Sequence, residues 1–200
     1  MLGTLVRNLL RPRGPKPPAA RPAETPLRLH IGGREPHPDW KIVNIVPSEN
    51  TDYVRSCTDL SPFADGTVAE IYASHVVEHL GYKRDLVKAL TEFNRVLEPG
   101  GTVRISVPDL TTLCELFLDP TLDAADRYFV MRMMYGGQMY DADFHYVGLS
   151  EEILTTFLFR SGFQRVERVE NFGLFKDAST LVYHGRPISL NVIASKPGPG

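Results

Sequence analysis

The chain has 200 residues, 42% hydrophobic and 23% charged, with a formal net charge of −2. That length suits one domain with a sizeable core, and the near-neutral balance excludes the clustered Lys and Arg on which nucleic-acid binding draws. Cys57 and Cys114 are the only cysteines and stand far apart. They argue against a disulfide framework or a Cys-based zinc site and fit a reducing, cytoplasmic setting, and no apolar run reaches the ~20 residues of a membrane span.

Residues 1–26 differ from the rest. They hold five basic residues, one acidic residue and six prolines, a formal charge of +4 that leaves −6 for the remainder. This composition predicts a disordered basic Pro-rich tail before one domain at 27–200. The alternative is a weak membrane-surface contact through Leu2, Leu5, Val6, Leu9 and Leu10, which share one helical face.

From Leu27 to Ile31 an alternating run ending in Gly32-Gly33 predicts a strand and a turn. Lys41–Val46 predicts a second strand, Tyr53–Ser56 a weak third and Val68–Ala73 a fourth. Apolar residues at Leu86, Val87, Leu90, Phe93, Val96 and Leu97 have helical spacing over 85–97. Pro99-Gly100-Gly101 stops that helix, and Thr102–Val107 is a fifth strand. Helices are expected from Pro108 to Leu118 and Leu122 to Met134, then a loop over 135–148. A further helix is capped by Ser150 and stopped by Gly162. Phe163–Phe172 and Ser189–Ser195 read as closing strands. The alternation predicts an α/β fold: a Rossmann-like, seven-stranded, mostly parallel sheet with helices on both faces and an antiparallel terminal strand. Ligands of such sheets sit at the carboxyl ends of the strands where the strand order reverses.

One segment, Ala73-Ser-His-Val-Val-Glu-His-Leu80, raises a separate question. His75-x-x-Glu78-His79 has the spacing of an inverted zinc-peptidase motif. Such a site needs both imidazoles on one helix face, whereas a strand precedes His75 and Gly81 follows almost at once. One turn of helix is too short a support, so no metal is expected. At the end of a strand His75 instead faces the ligand crevice as a candidate base, with Glu78 or His79 orienting it, holding the acceptor or anchoring the turn.

The series Leu29-His-Ile-Gly-Gly-Arg34, Trp40-Lys-Ile-Val-Asn44, Cys57-Thr-Asp-Leu-Ser-Pro-Phe63, Ala73–Leu80 and Leu97-Glu-Pro-Gly-Gly101 occurs in a familiar order. It resembles the class I S-adenosylmethionine-dependent methyltransferase family, and within it small bacterial methyltransferase-domain proteins with a His-Val-Leu-Glu-His-Leu segment. The resemblance covers about Leu27 to Lys196. It implies S-adenosylmethionine as cofactor, approached by Gly32 and Gly33, with Arg34 at the second glycine of Gly-x-Gly, where it would either narrow the cofactor's approach or meet the methionyl carboxylate. Asn44 takes the place of an acid that binds the ribose diol. Asp59 and Leu60 take the places that contact adenine, the reading the resemblance favours over Asp59 merely capping the Ser-Pro turn. Ser74 and His75 would lie beside the methyl group. His75, Glu78 and His145 are the expected catalytic residues. His79, Tyr140, Asp143 and Tyr146 would bind a small-molecule or saccharide-type acceptor, methylated at oxygen. The departures at Arg34 and Asn44 keep open a second reading, a non-catalytic binding or assembly module with the same fold.

Overall fold

The computed structural model describes residues 26–198, so the expected tail, apart from Pro26, lies outside the described residues. The elements are β1 (Arg28–Ile31), β2 (Lys41–Asn44), β3 (Tyr53–Val54), β4 (Val68–Ser74), α1 (Asp85–Val96), β5 (Leu97–Pro108), α2 (Leu110–Leu118), α3 (Ala124–Tyr135), α4 (Glu151–Arg160), β6 (Gln164–Val169), β7 (Val182–Tyr183), β8 (Arg186–Pro187) and β9 (Ser189–Ser195). Seven strands form one sheet in the order β3-β2-β1-β4-β5-β9-β6. Only β9 runs antiparallel to its neighbours. The order reverses between β1 and β4, which places the switch point of the sheet at Ile31–Gly32 and Ser74–His75.

Strand alternation gives the two faces different chemistry. Leu29, Ile31, Ile71, Ala73, Val103, Ile105, Val107, Leu190 and Val192 all enter the main core, where Leu86, Leu90 and Phe93 of α1 and Leu154 and Leu158 of α4 join them. Burying each of these side chains contributes about 1.5–3 kcal/mol of transfer free energy. The intervening positions, His30, Glu70, Tyr72, Ser74, Arg104 and Asn191, point the other way and are mostly polar. Glu70 there is paired with Arg28 and Arg104. Among the described residues no helix joins β1 to β2 or β2 to β3. Residues 32–40 make the first of these crossovers, fewer than the dozen or so that parallel strands usually take.

An irregular segment after β6 packs on the polar face. Phe175 stacks on His30 at 4.1 Å and lies against Trp40 and Tyr72. The Tyr72 hydroxyl donates to Asp177 at 2.7 Å, and Asn191 donates to the Glu170 and Ser179 carbonyls. Trp40 is thus a core residue at the foot of this cluster.

Several boundaries differ from the periodicity. The third strand ends at Val54, and β6 stops at Val169 where the chain turns away to reach the polar face. β5 begins at Leu97 rather than Thr102, because Leu97 already pairs with Val68 across an irregularity. The hairpin β7–β8 was not foreseen. Its strands have two residues each, and its turn uses His184 and Gly185, both at positive φ. Ser150 does cap α4, its hydroxyl accepting from the Ile153 amide.

Candidate functional site

Two cavities open at the switch point. The first, of about 210 Å³, runs along the carboxyl ends of β1, β2 and β4, with Ile31, Gly32, Asn44, Cys57, His75 and His79 in its wall. The second, of about 390 Å³, lies under the irregular segment and is lined by His30, Gly33, Glu35, Ser74, Lys176 and Asp177. Gly32, Arg34 and His75 border both, so the cavities meet there.

The junction has unusual backbone. Gly32 has φ +73°, and a Cβ there would stand 2.6 Å from Val76 Cγ2, so both conformation and space require glycine. His75 also has positive φ, 52°. An imidazole residue in this region is uncommon and is held by its surroundings. Its amide donates to the Ser106 carbonyl at 2.8 Å, its Nε2 meets Ser189 Oγ at 3.0 Å, and its Nδ1 lies 3.3 Å from Glu78 Oε1.

The two cavities differ in character. The first has an apolar floor that includes the Cys57 thiol, which burial pushes up to about 11 and keeps protonated. The second carries charge of both signs, from Arg34 and Lys176 and from Glu35 and Asp177. Burial pushes the Asp177 carboxyl up, but hydrogen bonds from Ser179 and Tyr72 outweigh it and hold the group below the ordinary carboxylate range. His30 forms part of the same wall. Burial lowers it to about 4, so its ring is neutral near pH 7. The Ser74 hydroxyl is buried beside this cavity without a hydrogen-bond partner.

Residues 43–105, from the second strand to the fifth, match the family described as a methyltransferase domain. The matched stretch includes β4 and the segment Ser74–His79 that borders the cavities. Solved structures share the fold at low identity. A methyltransferase from Archaeoglobus fulgidus is 19% identical with a TM-score of 0.52, over 86% of this chain and 87% of that one. A methyltransferase from Thermotoga maritima is 17% identical with a TM-score of 0.53, over 84% and 81%. A protein from Bordetella parapertussis is 11% identical with a TM-score of 0.54, over 86% of this chain but 62% of that one, so the chain spans less than two thirds of that relative's length. No curated protein matches the chain significantly.

The expected cofactor residues divide. Gly32, Gly33, Arg34, Asn44, Ser74 and His75 all line one cavity or the other. Asn44 is already engaged: its amide donates to the Gly33 carbonyl at 3.0 Å and its oxygen accepts from the Val46 amide at 2.9 Å. It ties the glycine turn to the end of β2, and its oxygen keeps one lone pair for a hydroxyl. Asp59 and Leu60 are in neither wall. Asp59 accepts from Arg55 and from the Ser61 amide, which is the turn-capping alternative. Leu60 is fully buried and its amide donates to Glu92 Oε2. Arg55, Ser56 and Cys57 take the wall position instead; the turn around Asp59 had masked them, since none is a charged acceptor at a strand end.

That turn is held from α1. Arg95 donates to the carbonyls of Leu60 and Phe63 and pairs with Asp65 and Glu92. Arg95→Ala should lower stability by about 2–3 kcal/mol, since it strands two carbonyls and two carboxylates, and should loosen the first cavity. Urea denaturation reads the first effect. Amide exchange at Ser56–Leu60 reads the second.

The loop between α3 and α4 supplies the remaining residues. Gly136, at φ +84°, allows the reversal, since a Cβ there would meet the Asp143 carbonyl at 2.1 Å. Asp143 is spent inside the loop, accepting from Met139, so it is a structural residue here rather than one facing a ligand. Tyr140 lines the first cavity, whereas Tyr146 is exposed and outside it. The Tyr146 amide donates to the Glu78 carbonyl at 2.8 Å, docking the loop on the single turn Val77–His79. This brings His145 against His79, ring centroids 4.7 Å apart, with Glu78 between strand end and loop. Burial pushes the Glu78 carboxyl up, but His75, His79 and His145 around it prevail and keep it below the ordinary range. Burial lowers His145.

Proposed function

We propose that the chain transfers a methyl group from S-adenosylmethionine to an oxygen of a small-molecule or saccharide-type acceptor. The observation that carries the reading is the pair of cavities joined at Gly32, Arg34 and His75, the first with an apolar floor under Arg34 and Arg55, the second lined by charges of both signs. S-adenosylmethionine has the same division, an adenosine body and an amino-acid head that is a zwitterion. Arg34 would take the α-carboxylate by a charge-assisted hydrogen bond and Asp177 the α-ammonium. The buried Ser74 hydroxyl, without a hydrogen-bond partner among the described residues, suits the same head. Asn44 with its remaining lone pair would receive a ribose hydroxyl, and the wall at Arg55–Cys57 would take the base.

Bound there, the cofactor supplies a sulfonium-borne methyl group. The protein's share is alignment of the acceptor and removal of its proton. His75 stands at the junction for that task. For that it needs the tautomer with Nδ1–H toward Glu78 and the lone pair on Nε2, and its ring must turn from Ser189, whose hydroxyl donates to the Ala178 carbonyl at 2.8 Å and so can only accept from Nε2. Tyr140 and His79, on the loop side of the first cavity, would face the acceptor.

Calorimetric titration of the full chain with S-adenosylmethionine and S-adenosylhomocysteine tests the reading; micromolar binding is expected, and none at millimolar ligand would refute it. His75→Ala should slow methyl transfer by about 100-fold or more, the usual share of a positioned base, with cofactor affinity changed less than about fivefold. A full transfer rate in that variant would remove His75 as base. Cofactor binding without transfer to any hydroxyl compound would favour the binding module suggested by Arg34 and Asn44.

A further inference from the structure

We infer that Glu78, His79 and His145 form a site for a first-row divalent cation at the acceptor end of the first cavity. A ligating atom of each of the three lies within 4.8 Å of the others. A cation with bonds of ~2.0–2.1 Å holds such atoms about 3.4 Å apart, so modest side-chain rotation closes the set.

Three features point to a ligand rather than to packing. The first is Glu78, which is 1% exposed; among the described residues only His75 Nδ1, 3.3 Å from Oε1 and short of hydrogen-bond geometry, faces its carboxylate, and Oε2 has no partner. A buried charge in that condition is costly unless something positive meets it. The second is the tautomer of both rings. His79 Nδ1 lies 3.0 Å from the Phe144 carbonyl, and His145 Nδ1 lies 3.0 Å from the Met133 carbonyl. A carbonyl only accepts, so each Nδ1 carries the proton and each Nε2 is left with its lone pair, the arrangement that prepares an imidazole for a metal. The third is access, since His79 also lines the first cavity with Tyr140 and Ala142.

Two imidazoles and one carboxylate favour Zn²⁺, Mn²⁺ or Fe²⁺ over Mg²⁺ or Ca²⁺, and three protein ligands leave positions open toward the cavity. Sequence spacing pointed to His75, Glu78 and His79 and so dismissed a metal. The fold withdraws His75 to Ser189 and brings in His145 from a loop 66 residues beyond His79 in the numbering. On the reading above, the open positions would hold the acceptor's oxygen; that role, though not the binding itself, rests on the proposed function.

The test is a titration of the tag-free full chain, treated with chelator, with Zn²⁺ and with Mn²⁺. One equivalent should bind with a Kd of micromolar or below. Glu78→Gln and His145→Asn should each weaken this at least tenfold, while His37→Asn and His184→Asn leave it unchanged. Should the ligand variants fail to fold, substoichiometric Mn²⁺ on the unmodified chain must broaden the imidazole NMR signals of His79 and His145 before those of His184. No stoichiometric binding, or equal binding by a folded Glu78→Gln, would overturn the site. Cation binding without S-adenosylmethionine binding would uphold the site and refute the methyl-transfer reading. Cofactor binding without the cation would do the reverse.

Discussion

Arg34→Glu is expected to weaken S-adenosylmethionine binding by about 100-fold, and Arg34→Ala by about tenfold. Arg34 borders both cavities and is exposed, so solvent screens it and the alanine change removes one charge-assisted hydrogen bond of modest worth. The glutamate change also sets a carboxylate against the cofactor's own. Both effects should shrink as salt is raised from about 0.05 to 0.5 M. The control is 5′-methylthioadenosine, which keeps the adenosine body and lacks the amino-acid head. Its affinity should be the same in the unmodified chain and both variants. Equal loss of methylthioadenosine binding would mean that Arg34 shapes the adenosine cavity instead, and the assignment of the second cavity would fail.

The second large effect concerns acid. His30 is 7% exposed, lies against Phe175 and Tyr72, and has an unpartnered Nδ1. Burial lowers it from 6.5 to about 4, against the attraction of Asp177 and with some help from His37. In the folded chain it therefore takes up its proton near pH 4, while the unfolded chain does so near 6.5. Between those values the unfolded state binds more protons, so stability increases with pH across the window. The contribution is fully present above pH 6.5 and falls by about 3 kcal/mol as pH drops to 4. In His30→Phe, which keeps an aromatic ring against Phe175, that slope should disappear. Urea midpoints at pH 7 and pH 4.5 for both proteins give the difference directly. A variant as acid-sensitive as the parent would refute the assignment. The second cavity shares this wall, but the folded chain's ring stays neutral down to about pH 4, so His30 should leave cofactor affinity unchanged above that pH.

These expectations depend unequally on what the sequence shows. The hydrophobic alternation of β1, β4, β5 and β9 encoded which strands are central, because a strand buried by a helix on one face must repeat every two residues. The helical spacing over 85–97 and the cap at Ser150 were equally legible, since both are local. The glycine turn at Gly32, the imidazole at the end of β4 and the family resemblance followed from the same short-range signals, and they placed a ligand crevice at those strand ends. Where the reading relied on positions counted from a family pattern, it was less secure: Asp59 and Leu60 turned out to serve the turn that Arg95 clamps.

By itself, then, the sequence determined most of the order of elements along the chain and the glycine and histidine that stand at two strand ends, all set by contacts within a few residues, whereas the order of the strands in the sheet came from the tertiary structure. Tertiary structure alone decided what surrounds them. Phe175 and Asp177 wall the charged cavity only because the chain after β6 returns across the polar face. His145 meets Glu78 only because a Gly136 turn and the Tyr146 amide dock a distant loop on one turn of helix. Contacts of that range leave no periodicity behind them, since they depend on how the elements pack and not on how any one of them repeats.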